Sequence, residues 1–188
     1  NLYENGYTLI NDFLNAFEHE QILNLFHEKL NNNLFDTSNI HSYTIKDDKI
    51  NDMFNNKIAP IEDIIFGKKM KQNYILKQIA IVDGKSPYKS SVNIHQDKFI
   101  PSFKLLYFPA ELTTNPFEYY SGSHFIDTQY MKNVLISSKT KAGDNRDQNF
   151  NFSGYKEKKF YAKENTLIIA ATNGFHRRFH ENKNGVRK

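Results

Sequence analysis

The sequence predicts a mainly β, α+β fold, with a helical N-terminal part over about 1–70 and short strands after it. Three observations carry this reading. Between positions 15 and 66 apolar side chains recur every three or four places, as one face of a helix requires. From Tyr74 onward they come in short runs rich in Ile, Val, Phe and Tyr, broken by Asp-Gly, Ser-Gly and Pro. At 188 residues, 39% hydrophobic and 14% aromatic, the chain has material for one core, so a single domain spanning 1–188 is expected. Strands at this spacing behind N-terminal helices imply a double-stranded β-helix, a cupin-like jelly roll over 74–188 with the helices packed on one side.

Each element follows from local chemistry. Tyr7 to Ile10 is β-branched and aromatic after a Gly turn and reads as a strand. Asn15-Ala16-Phe17-Glu18 has the pattern of a capping box and starts a helix reaching about Leu30, with Ile22, Leu25, Phe26 and Leu30 on one stripe. Residues 34–49 are expected to be irregular or weakly extended. Lys49 to Ala59 forms a helix, and Pro60 opens a second one that Gly67 stops. Tyr74 to Val82 and Ser91 to Phe99 read as strands. Ser102 to Phe108 sets Phe103, Leu105 and Tyr107 against Lys104, Leu106 and Phe108, a strand buried on both faces. Phe117 to Tyr120 is a short strand before a Ser-Gly-Ser turn. Residues 137–158 are polar and without periodicity, a long loop or lid. Phe160-Tyr161 and Leu167 to Ala170 return to strand.

Composition narrows the function. Without Cys there is no disulfide, thiolate ligand or Cys nucleophile, which fits a reducing, cytoplasmic setting. No apolar run approaches membrane-spanning length and no charged-then-apolar leader opens the chain, so no membrane partner is expected. The net charge of +4 comes from 25 basic residues dispersed among 21 acidic ones, a solvated surface rather than a nucleic-acid footprint.

Chemistry concentrates in Asn93-Ile94-His95-Gln96-Asp97-Lys98-Phe99. On an extended strand residues i and i+2 share a face, so His95 and Asp97 converge on one point. A second histidine would complete the facial triad of two imidazoles and one carboxylate found in non-haem Fe(II) oxygenases. His176, near the far end of the chain, follows the buried run Thr166 to Ala171 and is the favoured third ligand; His180 is the alternative, farther from that strand. His19, His27 and His41 read as surface histidines.

His95-Gln96-Asp97, then Ser121-Gly122-Ser123-His124, then a late His176 with Arg187 shortly after it resembles the phytanoyl-CoA dioxygenase family of Fe(II)/2-oxoglutarate oxygenases. The opening Asn5 to Leu14 is similar to that family's first strand and helix, so the likeness spans about Gly6 to Arg187. Ser121 stands where the family usually has Pro. The resemblance implies that Fe(II) sits on His95, Asp97 and His176, where dioxygen reacts, and that 2-oxoglutarate chelates it through its keto acid end. Arg187 matches the position that clamps the other carboxylate with a planar, always-charged fork. Gln78, on the strand that precedes the one bearing His95, resembles a glutamine that contacts the co-substrate. His124 is placed at the cavity mouth. Halogenases of this kind replace the carboxylate with a small residue, so Asp97 favours hydroxylation of a small-molecule substrate. A nucleobase or nucleic-acid demethylase on the same scaffold and a non-catalytic jelly-roll binding protein are the competing readings.

Overall fold

The computed structural model describes residues 2–31, 42–45, 48–66, 79–82, 94–97, 99–113, 116–138 and 150–179. The chain divides into two compact units, residues 14–86 and residues 1–13 with 87–188. The second unit begins with a single helical turn, α1 (Leu2–Asn5), and strand β1 (Tyr7–Ile10).

The unit of residues 14–86 holds helix α2 (Ala16–Asn31), strand β2 (Ser42–Ile45), helix α3 (Asp48–Phe66) and strand β3 (Ile79–Val82). The expected capping box is formed: the Asn15 amide donates to Glu18 Oε2 and the Glu18 amide donates to Asn15 Oδ1, both at 2.9 Å. Glu18 Oε2 also meets Lys57 Nζ at 3.0 Å, tying α2 to α3. α3 runs through Pro60 without the expected break. The reason is its apolar stripe, where Ile50, Phe54 and Ile58 are buried and half-buried Ile61 and Ile65 extend the same face. Pro60 sits on the exposed side, so the carbonyl it leaves unpaired at Asn56 faces water. β2 pairs antiparallel with β3, from Ser42↔Val82 to Ile45↔Ile79, where the sequence suggests only weak extension. Of the strand expected over Tyr74 to Val82, residues 74–78 lie outside the described residues.

The larger unit adds β4 (Phe103–Phe108), β5 (Phe117–Ser121), helix α4 (Thr128–Ser138), β6 (Lys156–Phe160), β7 (Thr166–Ala171) and β8 (His176–Arg178). Its strands form two antiparallel sheets, ordered β1-β7-β4 and β6-β5-β8. Tyr119 and Phe117 from β5, Phe160 from β6, Ile168 and Ala170 from β7, Leu106 and Phe108 from β4 and Tyr7 from β1 share one apolar cluster, so the sheets face each other across it. β7 is buried at every position, as a central strand with the apolar run Leu167 to Ala171 should be. β4 is half-buried rather than buried on both faces, and Lys104 is exposed, because β7 is its sole strand neighbour among the described residues.

One further expectation changes. The stretch 137–158 is not one loop: α4 extends to Ser138, Phe150 is buried among Tyr120, Phe152 and Phe175, and Lys156 to Lys158 already belong to β6. Residues 139–149 lie outside the described residues. α4 was not read from the sequence; Asp127 caps it, its carboxylate accepting from the Tyr130 amide at 2.6 Å, and Tyr130 and Asn133 are both buried at helical spacing.

Candidate metal centre

The expected strand through residues 91–99 reduces, where described, to a single antiparallel bridge. The His95 amide donates to the His176 carbonyl at 3.0 Å and the His176 amide returns the bond at 2.9 Å. A regular ladder would next pair residue 97 with 174. Instead the Asp97 amide reaches the Thr172 carbonyl at 2.9 Å, because the turn after β7 displaces the register. Thr172 also donates its amide to the Ser102 carbonyl at 2.7 Å, and its hydroxyl lies 3.1 Å from Ser102 Oγ. Residues 172–175 therefore carry the chain from the β7 sheet to the β8 sheet and hold Asp97 at the crossing.

This arrangement brings His95, Asp97 and His176 together. One donor atom from each lies within 4.8 Å of the others, the one such group of histidine and carboxylate donors among the described residues. The imidazole centroids are 4.6 Å apart and inclined by 51°. Asp97 Oδ1 is 3.6 Å from His95 Nε2 and Asp97 Oδ2 is 3.6 Å from His176 Nε2, both beyond hydrogen-bond range. The histidines are buried, while the Asp97 side chain is one quarter exposed, so the group opens on the carboxylate side.

The donor chemistry fits a cation. His176 Nδ1 lies 3.0 Å from the Gly174 carbonyl, which can only accept, so Nδ1 carries hydrogen and Nε2 is the nitrogen turned inward. That Nε2 is buried and has no hydrogen-bond partner. Burial opposes ionisation of Asp97, yet attraction from His176 and from Lys104 outweighs it and holds the carboxyl well below the usual carboxylate range. Lys104 Nζ lies 2.7 Å from Asp97 Oδ2. Two buried imidazoles, one with an orphaned nitrogen, and a permanently ionised carboxylate make a donor set suited to a divalent transition metal.

The surroundings fix this group in place. Gln96, buried between the two ligand candidates, donates through Nε2 to the Asn173 carbonyl, and Asn173 Nδ2 donates to the His124 carbonyl at 2.9 Å. Tyr130 on α4 donates its hydroxyl to the Phe99 carbonyl at 2.7 Å. Ser123 Oγ accepts from the Phe175 amide at 2.8 Å, and Tyr119 donates to the Ala171 carbonyl at 2.8 Å. Gly174 is required here: a Cβ would overlap the Tyr119 hydroxyl and stand 3.0 Å from Ser123 Oγ. Gly122, at φ +87°, supplies the left-handed residue of the Ser-Gly-Ser turn.

His124 stands apart from the three. Its Nε2 is 2.8 Å from the Tyr3 carbonyl of α1, its ring lies 4.2 Å from that of Phe125, and burial pushes its pKa down. His19 and His27 stay on α2, outside the group. Arg187, Gln78, His41 and the alternative His180 lie outside the described residues. Two contacts around the group, Lys104 with Asp97 and Glu118 with Arg177, were not read from the sequence. Lys104 was signalled by its place in an otherwise apolar strand, in phase with Leu106 and Phe108. Glu118 is fully buried and takes Arg177 bidentately, Nε at 2.8 Å and Nη2 at 3.2 Å, across the β5–β8 pair that presents His176. No local sequence pattern announces that pair.

No protein-family model and no curated protein matches this chain. Among solved structures it is similar to the epimerase SnoN in complex with Fe3+, alpha ketoglutarate and nogalamycin RO, at TM-score 0.52 and 13% identity over 93% of this chain and 73% of that one. It is similar to the non-heme alpha ketoglutarate dependent epimerase SnoN from nogalamycin biosynthesis at TM-score 0.51 and 14% identity, over 93% and 70%. HygX from Streptomyces hygroscopicus with iron bound gives TM-score 0.43 and 11% identity over 95% and 78%. At these identities the SnoN likeness shows the fold alone, helices with antiparallel sheets.

Proposed function

We propose that this chain is an Fe(II)/2-oxoglutarate-dependent oxygenase that hydroxylates a small molecule within a jelly-roll scaffold. The observation that carries the reading is the buried, unpartnered Nε2 of His176 facing the ionised Asp97 and the imidazole of His95. These three residues would hold iron, and iron with 2-oxoglutarate and dioxygen supplies the oxidising power to break an unactivated C–H bond. The protein contributes position. Gly174 orients His176 through Nδ1, the reciprocal backbone bonds lock His95 to His176, and Gln96 with Asn173 fixes the intervening turn. The Phe117 ring packs with its centroid 5.8 Å from that of the His176 ring. Arg187 is assigned the distal carboxylate of 2-oxoglutarate, and Gln78 a supporting contact to it.

The SnoN fold makes epimerisation the second reading, since both outcomes begin with loss of hydrogen from carbon. No helix among the described residues is long and apolar enough to cross a membrane, and the proposal involves neither membrane nor nucleic acid. The test combines binding with turnover. Fe(II) or Mn(II) should stabilise wild type, by about 2.7 kcal/mol at a hundredfold excess over the dissociation constant, and so raise its melting temperature, but not that of His95→Ala. Succinate should accumulate with Fe(II), oxygen and 2-oxoglutarate, and Asp97→Ala should abolish it. A product that gains one oxygen atom identifies hydroxylation, and an isomer of unchanged mass identifies epimerisation. Equal metal shifts in wild type and His95→Ala sink the assignment.

A further inference from the structure

Lys104 occupies a position that a purely structural lysine would not need. On β4 it shares a face with Leu106 and Phe108, whose side chains pack into the core between the two sheets. Its cross-strand partner on β7 is Ala170, also in that core. The ammonium therefore rises from the interior face of the sheet, at the end where Ser102 and Thr172 join β4 to the turn that holds Asp97. It reaches Asp97 Oδ2 at 2.7 Å while its side chain remains 52% exposed. An ammonium has three donors. Asp97 takes one, and among the described residues no other acceptor meets Nζ.

Charge sets what the remaining donors are for. Lys104 and Asp97 neutralise each other, so a divalent ion on the three ligands leaves two positive charges uncompensated at one opening. A neutral ligand leaves that repulsion in place. A carboxylate placed between ion and ammonium removes it, and hydrogen-bonds to the free donors.

We propose that Lys104 is a binding residue for a carboxylate held at the metal centre, beside the ion and on the same face as Asp97. The proposal rests on the metal-centre reading above, and two anions could supply the group. One is the 2-oxo acid co-substrate; the other is a carboxylate on the substrate itself, which would make the substrate an acid.

The experiment uses the whole chain loaded with Co(II) without oxygen, as wild type, Lys104→Met and Lys104→Arg. Methionine keeps the apolar stem and removes the charge. Calorimetry measures Co(II) affinity, then 2-oxoglutarate affinity, then the affinity of acetate, succinate and benzoate with and without 2-oxoglutarate present. The expected result is Co(II) binding in Lys104→Met as tight as wild type or tighter, with carboxylate binding roughly tenfold weaker or more and largely restored in Lys104→Arg. Loss confined to 2-oxoglutarate assigns Lys104 to the co-substrate. Loss confined to a carboxylate bound on top of 2-oxoglutarate assigns it to an acidic substrate. Unchanged affinity for every carboxylate overturns the proposal, as does weakened Co(II) binding with intact carboxylate binding, which would make Lys104 a prop for Asp97. If wild type binds Co(II) but not 2-oxoglutarate, the oxygenase reading fails, and the three simple carboxylates still decide Lys104.

Discussion

Replacing Gly174 with alanine tests how the candidate centre is supported. Gly174 has no left-handed backbone to protect, so the whole effect is steric. The new methyl would overlap the Tyr119 hydroxyl, approach Cζ at 2.8 Å and stand 3.0 Å from Ser123 Oγ. Tyr119 is fully buried and cannot retreat into solvent. Overpacking of this kind costs about 1–3 kcal/mol. If the ring moves, the bond to the Ala171 carbonyl breaks; the carbonyl keeps the Gly174 amide, but the buried Tyr119 hydroxyl loses its acceptor, about 1–3 kcal/mol more. Together that is on the order of 2–6 kcal/mol, or roughly 4–24 °C in melting temperature for a chain this long. Thermal unfolding followed by circular dichroism measures it. Tyr119→Phe removes the atom that the methyl meets, so the double variant should be more stable than the two single effects predict, by about 1–2 kcal/mol. Gly6 abuts the same hydroxyl but at φ +81°, so Tyr119→Phe should rescue Gly6→Ala much less. Strict additivity for Gly174 would refute the reasoning.

Arg177→Met should destabilise by about 3–5 kcal/mol, because it strands the fully buried Glu118 carboxylate; adding Glu118→Gln should recover much of the loss in the same denaturant titration. Asn15→Ala removes one half of the α2 capping box and should cost about 1 kcal/mol, read from the urea midpoint at constant slope. Burial depresses the pKa of His124, so the unfolded chain takes its proton more readily than the folded one. Stability should therefore fall as pH drops below about 6.5, and that slope should flatten in His124→Gln.

Most of the fold was legible because its signals are local. The Asn15–Glu18 box, the β1 run and the apolar run of β7 each state their structure over a short stretch, and each forms where expected. The failures come where distant packing overrules a local rule. Pro60 should end a helix, but the buried stripe through Ile50, Phe54 and Ile58 carries α3 past it. α4 was hidden because Asn133, a polar residue, occupies a buried position, where its side chain bonds the Asn151 backbone. The candidate site divides the same way. His95 and Asp97 were visible as a spacing and His176 as a residue closing a strand, and the structure brings the three together. Their setting was not visible, because the register displacement that hands Asp97 to Thr172 depends on how residues 172–175 cross between sheets. The Glu118–Arg177 pair joins two strands far apart in the chain and has no sequence signature at all.

The reciprocal bonds between His95 and His176 also bear on how the chain comes to be folded. His95 and Asp97 are neighbours in any conformation, but their third companion lies far along the chain and meets them only when a long loop is closed. Contacts of such long sequence separation form late, after the entropy of closing a large loop has been overcome. An unfolded chain thus offers an ion two weak ligands rather than three converging ones. An ion bound at the finished site therefore lengthens the life of the native state by slowing its unfolding, and leaves the speed of folding unchanged.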